Sequence, residues 1–275
     1  MIIKETQTKR GEINITNFNF YIFAGVMIPL LGTVLGSACV FFLRKGVNSL
    51  AEVSIQGVSS GVMIAASVWS LLIPAIELSL KKGQHPIILT SLGFISGILT
   101  FIACEKILET VGGQKLAGKH KNKSFLPSLA VALHNLPEGM AVGAVFAEAM
   151  CFGDIGARYA AMALSLGIAV QNIPEGAIIS IPLYSDGAKR SKAFMFGTVS
   201  GVIEPIGALG TIIASEIAVP ILPFLLSFAA GAMIFAVIDC IFQLKTEHKN
   251  LEKYAFLVCF SAGFVLMMSL DVILG

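Results

Sequence analysis

The sequence predicts an all-α polytopic membrane protein, and three observations support that class. Of its 275 residues, 56% are hydrophobic and only 13% are charged, whereas a soluble domain carries about 25% charged residues. The mean hydropathy is +0.84. Long apolar stretches alternate with short polar breaks along the chain. The formal net charge of +2 is too small to indicate a nucleic-acid partner, so we expect none.

Eight apolar stretches are long enough to cross a bilayer, since a helix needs about 20 apolar residues to span the hydrocarbon core. These spans 1 to 8 cover residues 18–43, 51–80, 86–108, 125–149, 157–184, 192–215, 219–243 and 252–274. The breaks between them are too short for a soluble domain. We therefore expect a polar N-terminal tail at 1–17 and a single membrane transport domain at 18–275.

The basic residues predict the orientation, because cytoplasmic loops are enriched in Lys and Arg. With the N-terminus outside, 13 of the 19 basic residues fall on the cytoplasmic side and 6 on the outer side. An even number of spans places the C-terminus on the same side as the N-terminus. Both termini are therefore expected to be extracytoplasmic.

A short polar motif occurs twice, in spans 4 and 5. ALHNLPEGMAVG at 132–143 and AVQNIPEGAIIS at 169–180 share the block Asn-x-Pro-Glu-Gly. Successive spans run in opposite directions, so the motif is presented twice, inverted, near the bilayer midplane. A weaker match joins SSGVMIAA at 59–66 with AAGAMIFA at 229–236. This pattern predicts an inverted repeat, with spans 1–3 and 6–8 around spans 4–5, as at transporter substrate sites.

The polar side chains of each motif share one helix face, because residues three and four apart are neighbours. They are His134, Asn135 and Glu138 in span 4 and Gln171, Asn172 and Glu175 in span 5. Pro137 and Pro174 cannot donate a backbone hydrogen bond, so each bends its helix and frees a carbonyl. Span 6 adds Glu204 directly before Pro205.

Three carboxylates at mid-membrane depth need compensation, since each costs about 2.5–3.5 kcal/mol on insertion scales. No Lys or Arg lies at the matching depth of any span. Protons, water or a bound cation remain as compensators. One imidazole with several carboxylates and amide oxygens suits a divalent transition metal such as zinc, manganese or iron. Protons should compete with such a metal.

HNLPEG in span 4 and QNIPEG in span 5 resemble the signature of the ZIP (Zrt/Irt-like) metal transporters, as do SGVIEP in span 6 and GVMIAAS in span 2. The pattern is most similar to the branch with bacterial GufA-like members. The resemblance implies carriage of divalent metal, chiefly zinc, into the cytoplasm through two neighbouring positions. The first would use His134, Glu138, Gln171 and Glu175, with Met63 nearby. The second would use Asn135, Asn172 and Glu204 and share the two motif glutamates.

The resemblance also implies that spans 1, 4, 5 and 6 slide against spans 2, 3, 7 and 8, and that the protein forms a homodimer. The chain departs from the family at several positions. Gln171 stands where most members have histidine. Asn172 replaces an aspartate of close relatives, so the second position should bind metal weakly. The loop between spans 3 and 4 holds only His120. Asp239 of span 7 is either an exit ligand or structural, and Glu77 is expected to be an interfacial carboxylate rather than an entrance ligand.

We therefore predict a multi-pass protein of the plasma or inner membrane that imports Zn²⁺, with Cd²⁺, Fe²⁺ and Mn²⁺ as alternative substrates. No catalytic residue or cofactor is expected, and the partners are the metal ion, the lipid bilayer and a second copy of the chain. A proton-coupled carrier of a small organic solute is the first alternative. An intramembrane metalloenzyme is the second, but the chain has no HExxH motif.

Overall fold

A computed structural model describes residues 2–43, 48–115, 125–152, 155–243 and 250–274. Within these ranges it describes the backbone alone at 2–19, 108–115, 125–134, 152, 243 and 274. The described part is almost entirely helical, and it contains no β-strand. The predicted all-α class is therefore confirmed.

The helices run in chain order as follows: α1 Ile2–Ala38, ending in a 3₁₀ turn at Cys39–Phe41; α2 Ser49–Ala66; a π-helical stretch at Ser67–Leu72; α3 Ile73–Lys81; α4 Pro86–Lys115; α5 Phe125–Phe152; α6 Ile155–Ser185; α7 Arg190–Gly201; α8 Ile203–Ile213; α9 Ser215–Ala218; α10 Leu222–Gln243; and α11 Asn250–Leu274. Span 2 corresponds to α2, the π-helical stretch and α3 together. Span 6 corresponds to α7 and α8, and the other spans correspond to single helices.

Two helical segments differ from the predicted spans, one by an interruption and one by its length. Span 6 is interrupted at Val202, whose N–H bonds to the carbonyl of Val199 at 3.1 Å, three residues back. Pro205 explains the interruption, because it has no N–H to donate to the carbonyl of Gly201. At the N-terminus, α1 begins at Ile2, so the residues expected as a polar tail are part of the first helix.

Seven helical segments of the described part are long and apolar enough to cross a membrane: Phe20–Phe41, Ser49–Lys81, Pro86–Ile107, Ile155–Ser185, Arg190–Ile213, Leu222–Phe242 and Asn250–Ile273. Helix α5 is 28 residues long, but its side chains are described only at 135–151. The molecule is thus a multi-pass membrane protein. Helix α6 lies at its centre, with 56% of its apolar stretch buried. The apolar stretches of α4 and α11 are only 22% and 17% buried, so these helices present most of their surface outward.

The helices pack in two groups. Helices α1, α5, α6, α7 and α8 form one group, the motif bundle, in which α1 packs on α6 and α5 packs on α8. Helices α2, α3, α4, α10 and α11 form the other, the outer bundle, in which α2 packs on α11 and α4 packs on α10. This grouping is the one that the resemblance implied. The two bundles meet mainly where α2 contacts α6 and where α10 contacts α5.

The surface between the bundles is apolar and contains many small side chains. Buried residues from both sides form one cluster, which includes Val62, Ala65 and Ala66 of α2, Ala141, Val142 and Val145 of α5, and Leu226, Ala229 and Met233 of α10. Small side chains allow helices to approach closely in a membrane. The bundles therefore contact each other largely through apolar side chains.

Candidate metal site

The polar residues of the two motifs lie in the interior of the motif bundle. Their exposed fractions are 0% for Asn135, Glu138, Gln171 and Asn172 and 1% for Glu175 and Glu204. Helix α5 supplies the first two, α6 supplies the next three, and α8 supplies Glu204. Six of the eight residues that the sequence singled out are therefore buried together in three adjacent helices.

The three glutamates lie close enough to interact electrostatically. The carboxylate of Glu175 interacts with those of Glu138 and Glu204, and Glu204 also interacts with Glu138. The amide of Gln171 lies beside Glu138. The two motif glutamates thus lie near each other, one on α5 and one on α6.

Most polar atoms around the two motif glutamates have no partner among the described residues. Both carboxylate oxygens of Glu138 and both of Glu175 are buried without a hydrogen bond. The same holds for both amide atoms of Gln171 and for the Oδ1 atoms of Asn135 and Asn172. A buried polar group without a partner costs about 1–3 kcal/mol, and more when it is charged. Such a concentration of unpartnered oxygens is chemically suited to hold a cation.

Glu204 differs from the motif glutamates because both of its oxygens accept a hydrogen bond. Thr33 Oγ1 donates to Glu204 Oε1 at 3.1 Å, and Asn172 Nδ2 donates to Glu204 Oε2 at 2.7 Å. Asn172 Nδ2 also lies 3.2 Å from the carbonyl oxygen of Pro29, and Asn135 Nδ2 donates to the carbonyl oxygen of Ser200 at 3.2 Å. The amide nitrogens therefore join neighbouring helices, while their oxygens remain free.

Close backbone contacts hold α5 and α6 against their neighbours. A methyl group at Gly139 would collide with the backbone of Glu204, and one at Gly176 would collide with the backbone of Thr33. Each of these glycines directly follows a motif glutamate. The absence of a side chain therefore lets α5 approach α8, and α6 approach α1, at the level of the carboxylates.

Two predicted site residues are not placed among the carboxylates. The backbone of His134 belongs to α5, but its side chain lies outside the described residues. Met63 is a buried residue of the apolar cluster between the bundles, and its sulfur accepts a hydrogen bond from Ser59 at 3.8 Å. Within the described part, no three His, Cys, Asp or Glu side chains are arranged to hold one metal ion by themselves. An ion held here would therefore need the amide oxygens or His134 as further ligands.

Glu77 and Asp239, which the sequence analysis considered outside the motifs, belong to helices of the outer bundle. Glu77 is exposed near the end of α3, and Asp239 is partly buried on α10. His120 lies outside the described residues. The structure adds Thr33 and Ser200, which the sequence analysis did not select. Thr33 has a sequence signal, because it is a polar residue within the apolar stretch LLGTVLGS of α1.

Comparisons with known proteins agree with this description. Residues 117–271 match the family model described as ZIP zinc transporter. Zinc transporter ZIP11 of Xenopus tropicalis is 31% identical, over 92% of this chain and 99% of its own length. Zinc transporter ZIPB of Bordetella bronchiseptica is 32% identical, over 93% and 82%. Zinc transporter GufA of Myxococcus xanthus is 31% identical, over 92% and 99%.

Proposed function

Because the chain belongs to the ZIP family of zinc transporters, which are carriers and not enzymes, we propose that it imports zinc through the carboxylate cluster between α5 and α6. The observation that carries this proposal is the set of four buried, unpartnered oxygens of Glu138 and Glu175. Two carboxylates balance the charge of one divalent cation, and the ion supplies the partners that the protein does not. Zn²⁺ is therefore the substrate of the protein and not a cofactor.

The ligands of the proposed ion come from two antiparallel helices. Glu138 of α5 and Glu175 of α6 contribute carboxylates, and Gln171 contributes an amide oxygen. His134 precedes Glu138 by one helical turn, so we propose that its imidazole completes the shell. Carboxylate and amide oxygens also suit Mn²⁺ and Fe²⁺, and a single imidazole does not exclude Cd²⁺. The proposal of zinc as the main substrate rests on the named activity of the relatives.

We propose that the protein has eight membrane spans, namely the seven apolar segments described above and α5. We also propose that both termini lie outside the cytoplasm.

The inverted repeat is supported by the way the helices pack. Exchanging span 1 with 6, 2 with 7, 3 with 8 and 4 with 5 converts the contact of α1 with α6 into that of α8 with α5. The same exchange converts the contact of α2 with α11 into the contact of α10 with α4. It also converts the contact of α2 with α6 into the contact of α10 with α5.

Individual glycines support the same repeat. Gly139 lies against the backbone of Glu204, and Gly207 of α8 lies against the carbonyl of Leu136. In the other half, Gly176 lies against the backbone of Thr33, and Gly36 of α1 lies against the carbonyl of Ile173. Gly207 follows Glu204 at the same spacing at which Gly36 follows Thr33. Thr33 is thus the counterpart of Glu204 in the proposed repeat.

We propose that zinc crosses the membrane by an elevator-like movement of the motif bundle against the outer bundle. All polar groups of the cluster belong to the motif bundle, so they can move together with the ion. The surface between the bundles is apolar and rich in alanine, so a displacement breaks few directed bonds. A homodimer and a location in the plasma or inner membrane are proposed from the resemblance alone.

Uptake of zinc into proteoliposomes tests this function. Wild-type protein should accumulate Zn²⁺, whereas Glu138→Gln and Glu175→Gln should lose uptake, since each removes one of two charged ligands while keeping the size of the side chain. Glu216→Gln is the matched control, because Glu216 is exposed on α9. Uptake that persists in both motif variants would refute the site.

The same vesicles separate the alternatives. Transport of an organic solute with protons, and of no divalent cation, would favour the solute carrier. Hydrolysis of a membrane substrate without uptake would favour the metalloenzyme. Competition by Cd²⁺, Fe²⁺ and Mn²⁺ for Zn²⁺ uptake ranks the substrates.

A further inference from the structure

We infer that Glu204 is a hydrogen-bonded brace in this protein and not a ligand, so that the motif bundle holds one metal ion and not two. This inference rests on the proposed function, because it concerns the ion held by Glu138 and Glu175. It concerns the second position, for which the resemblance implied Asn135, Asn172 and Glu204. The contacts of these three residues show what occupies that position instead.

Both oxygens of Glu204 are engaged by donors from two other helices. Asn172 Nδ2 of α6 lies 2.7 Å from Oε2, at the short end of the range for a hydrogen bond to a charged acceptor. Thr33 Oγ1 of α1 lies 3.1 Å from Oε1. The oxygens of Glu138 and Glu175 have no partner among the described residues. A cation at Glu204 would have to displace two existing bonds, whereas one at the motif glutamates would displace only the neighbouring amide of Gln171.

The orientation of the Asn172 amide is determined by its surroundings. Its nitrogen faces two acceptors, Glu204 Oε2 at 2.7 Å and the carbonyl oxygen of Pro29 at 3.2 Å. A flipped amide would place its oxygen against both acceptors, which is electrostatically unfavourable, because an amide oxygen only accepts. The nitrogen of an amide has no lone pair to offer a metal. Asn172 therefore blocks the side of Glu204 that an ion would otherwise approach.

Asn135 follows the same principle on α5. Its Nδ2 donates to the carbonyl oxygen of Ser200 on α7, 3.2 Å away. Its Oδ1 and that of Asn172 are buried without a partner. The two asparagines thus use their nitrogens to join helices, and their oxygens remain available to the ion between the motif glutamates. Asn135 and Asn172, which the resemblance assigned to the second position, then offer their oxygens to the ion at the first position.

Residue 172 consequently determines how many ions the protein holds. An aspartate at this position would replace the donor by a second carboxylate beside Glu204. Two adjacent carboxylates repel each other unless a cation or a proton lies between them. Asn172 removes this repulsion with a neutral donor, and Thr33, the repeat counterpart of Glu204, supplies the second bond.

Counting the ions bound at equilibrium tests the inference. Purified protein in lipid nanodiscs is dialysed against Cd²⁺ or Zn²⁺, and bound metal per chain is measured by mass spectrometry of the elements. We expect one ion for the wild type, two for Asn172→Asp, and one for Glu204→Gln. The Glu138→Gln/Glu175→Gln double variant should hold none, and Glu216→Gln should hold one.

The possible results separate the two claims. Two ions in the wild type would overturn the brace and leave the proposed transport site standing. No ion in a folded wild type, or one ion in the double variant, would overturn the proposed site itself. A Glu204→Gln protein that is folded but binds no metal would show that Glu204 is a required ligand, and would also overturn the brace. If Asn172→Asp does not fold, the wild type and Glu204→Gln still decide the question.

Discussion

An ion pair joins the two bundles, and its removal tests whether they move. Lys82, directly after α3 of the outer bundle, places Nζ 3.0 Å from Oε1 of Glu148 near the end of α5 in the motif bundle. The same nitrogen donates to the carbonyl oxygen of Val219 before α10, at 2.7 Å. A displacement of the motif bundle would carry Glu148 away from Lys82. The pair therefore stabilises the arrangement seen here relative to any displaced one.

The size of this effect follows from the geometry. Two unit charges 3.0 Å apart attract by about 5.5 kcal/mol at an effective dielectric constant of about 20. Desolvation and side-chain ordering offset most of this, and exposed pairs retain only about 0–1 kcal/mol. The side chains here are 21% and 13% exposed, so they are partly buried. We expect a net contribution of about 1–2 kcal/mol, which changes the ratio of two arrangements about 5- to 30-fold.

A distance measurement between the bundles can detect a change of this size. Spin labels are attached to Ile87→Cys on α4 and Ile213→Cys on α8, two positions that are 77% and 85% exposed. The five native cysteines are replaced first. In nanodiscs, the labelled protein with an intact ion pair should give one main distance between the labels. Glu148→Gln or Lys82→Met should add or enlarge a second population of label distances.

The control reverses the charges. Lys82→Glu combined with Glu148→Lys keeps an opposite pair between the bundles, and it should restore much of the original distribution. Identical distributions in the unmodified protein and in both single variants would refute the reasoning. They would mean either that the bundles do not move or that the pair moves with them.

Two further predictions concern the site. Gly139→Ala should lower the unfolding free energy by about 1–3 kcal/mol and weaken zinc binding. The reason is that the added methyl group collides with the backbone of Glu204. Gly210→Ala is the matched control, since a methyl group there meets no described atom within 4 Å. Thermal unfolding in detergent checks both, and equal melting temperatures would contradict the close packing of α5 on α8. Zinc affinity should fall as the pH is lowered, because protons compete with metal for the two motif carboxylates, and a pH-independent affinity in a titration series would argue against carboxylate ligation.

Much of the fold follows from the sequence because membrane helices are specified by local composition. Every backbone polar group must be satisfied within the bilayer, so an apolar stretch of sufficient length forms a helix whatever its neighbours are. The predicted span 7 at 219–243 accordingly agrees with α10 at Leu222–Gln243 to within a few residues. Pro205 likewise indicated a distortion, which the structure places at Val202.

The composition of the site could also be predicted in part. The repeated Asn-x-Pro-Glu-Gly block identified Glu138 and Glu175, since polar residues in an apolar span are costly and therefore informative. The sequence did not indicate that Glu204 would be bonded while the motif glutamates would not. Thr33 and Glu204 are 171 residues apart, and no local pattern in the sequence indicates that their side chains meet.

The sequence by itself thus determined the helical class, most of the helix positions and the polar residues of the candidate site. Only the tertiary structure decided which helices form each bundle, that Lys82 of one bundle pairs with Glu148 of the other, and that Asn172 directs its nitrogen toward Glu204. The physical reason is that helix formation depends on neighbours along the chain. The partner of a hydrogen bond or charge depends on which distant helix packs alongside.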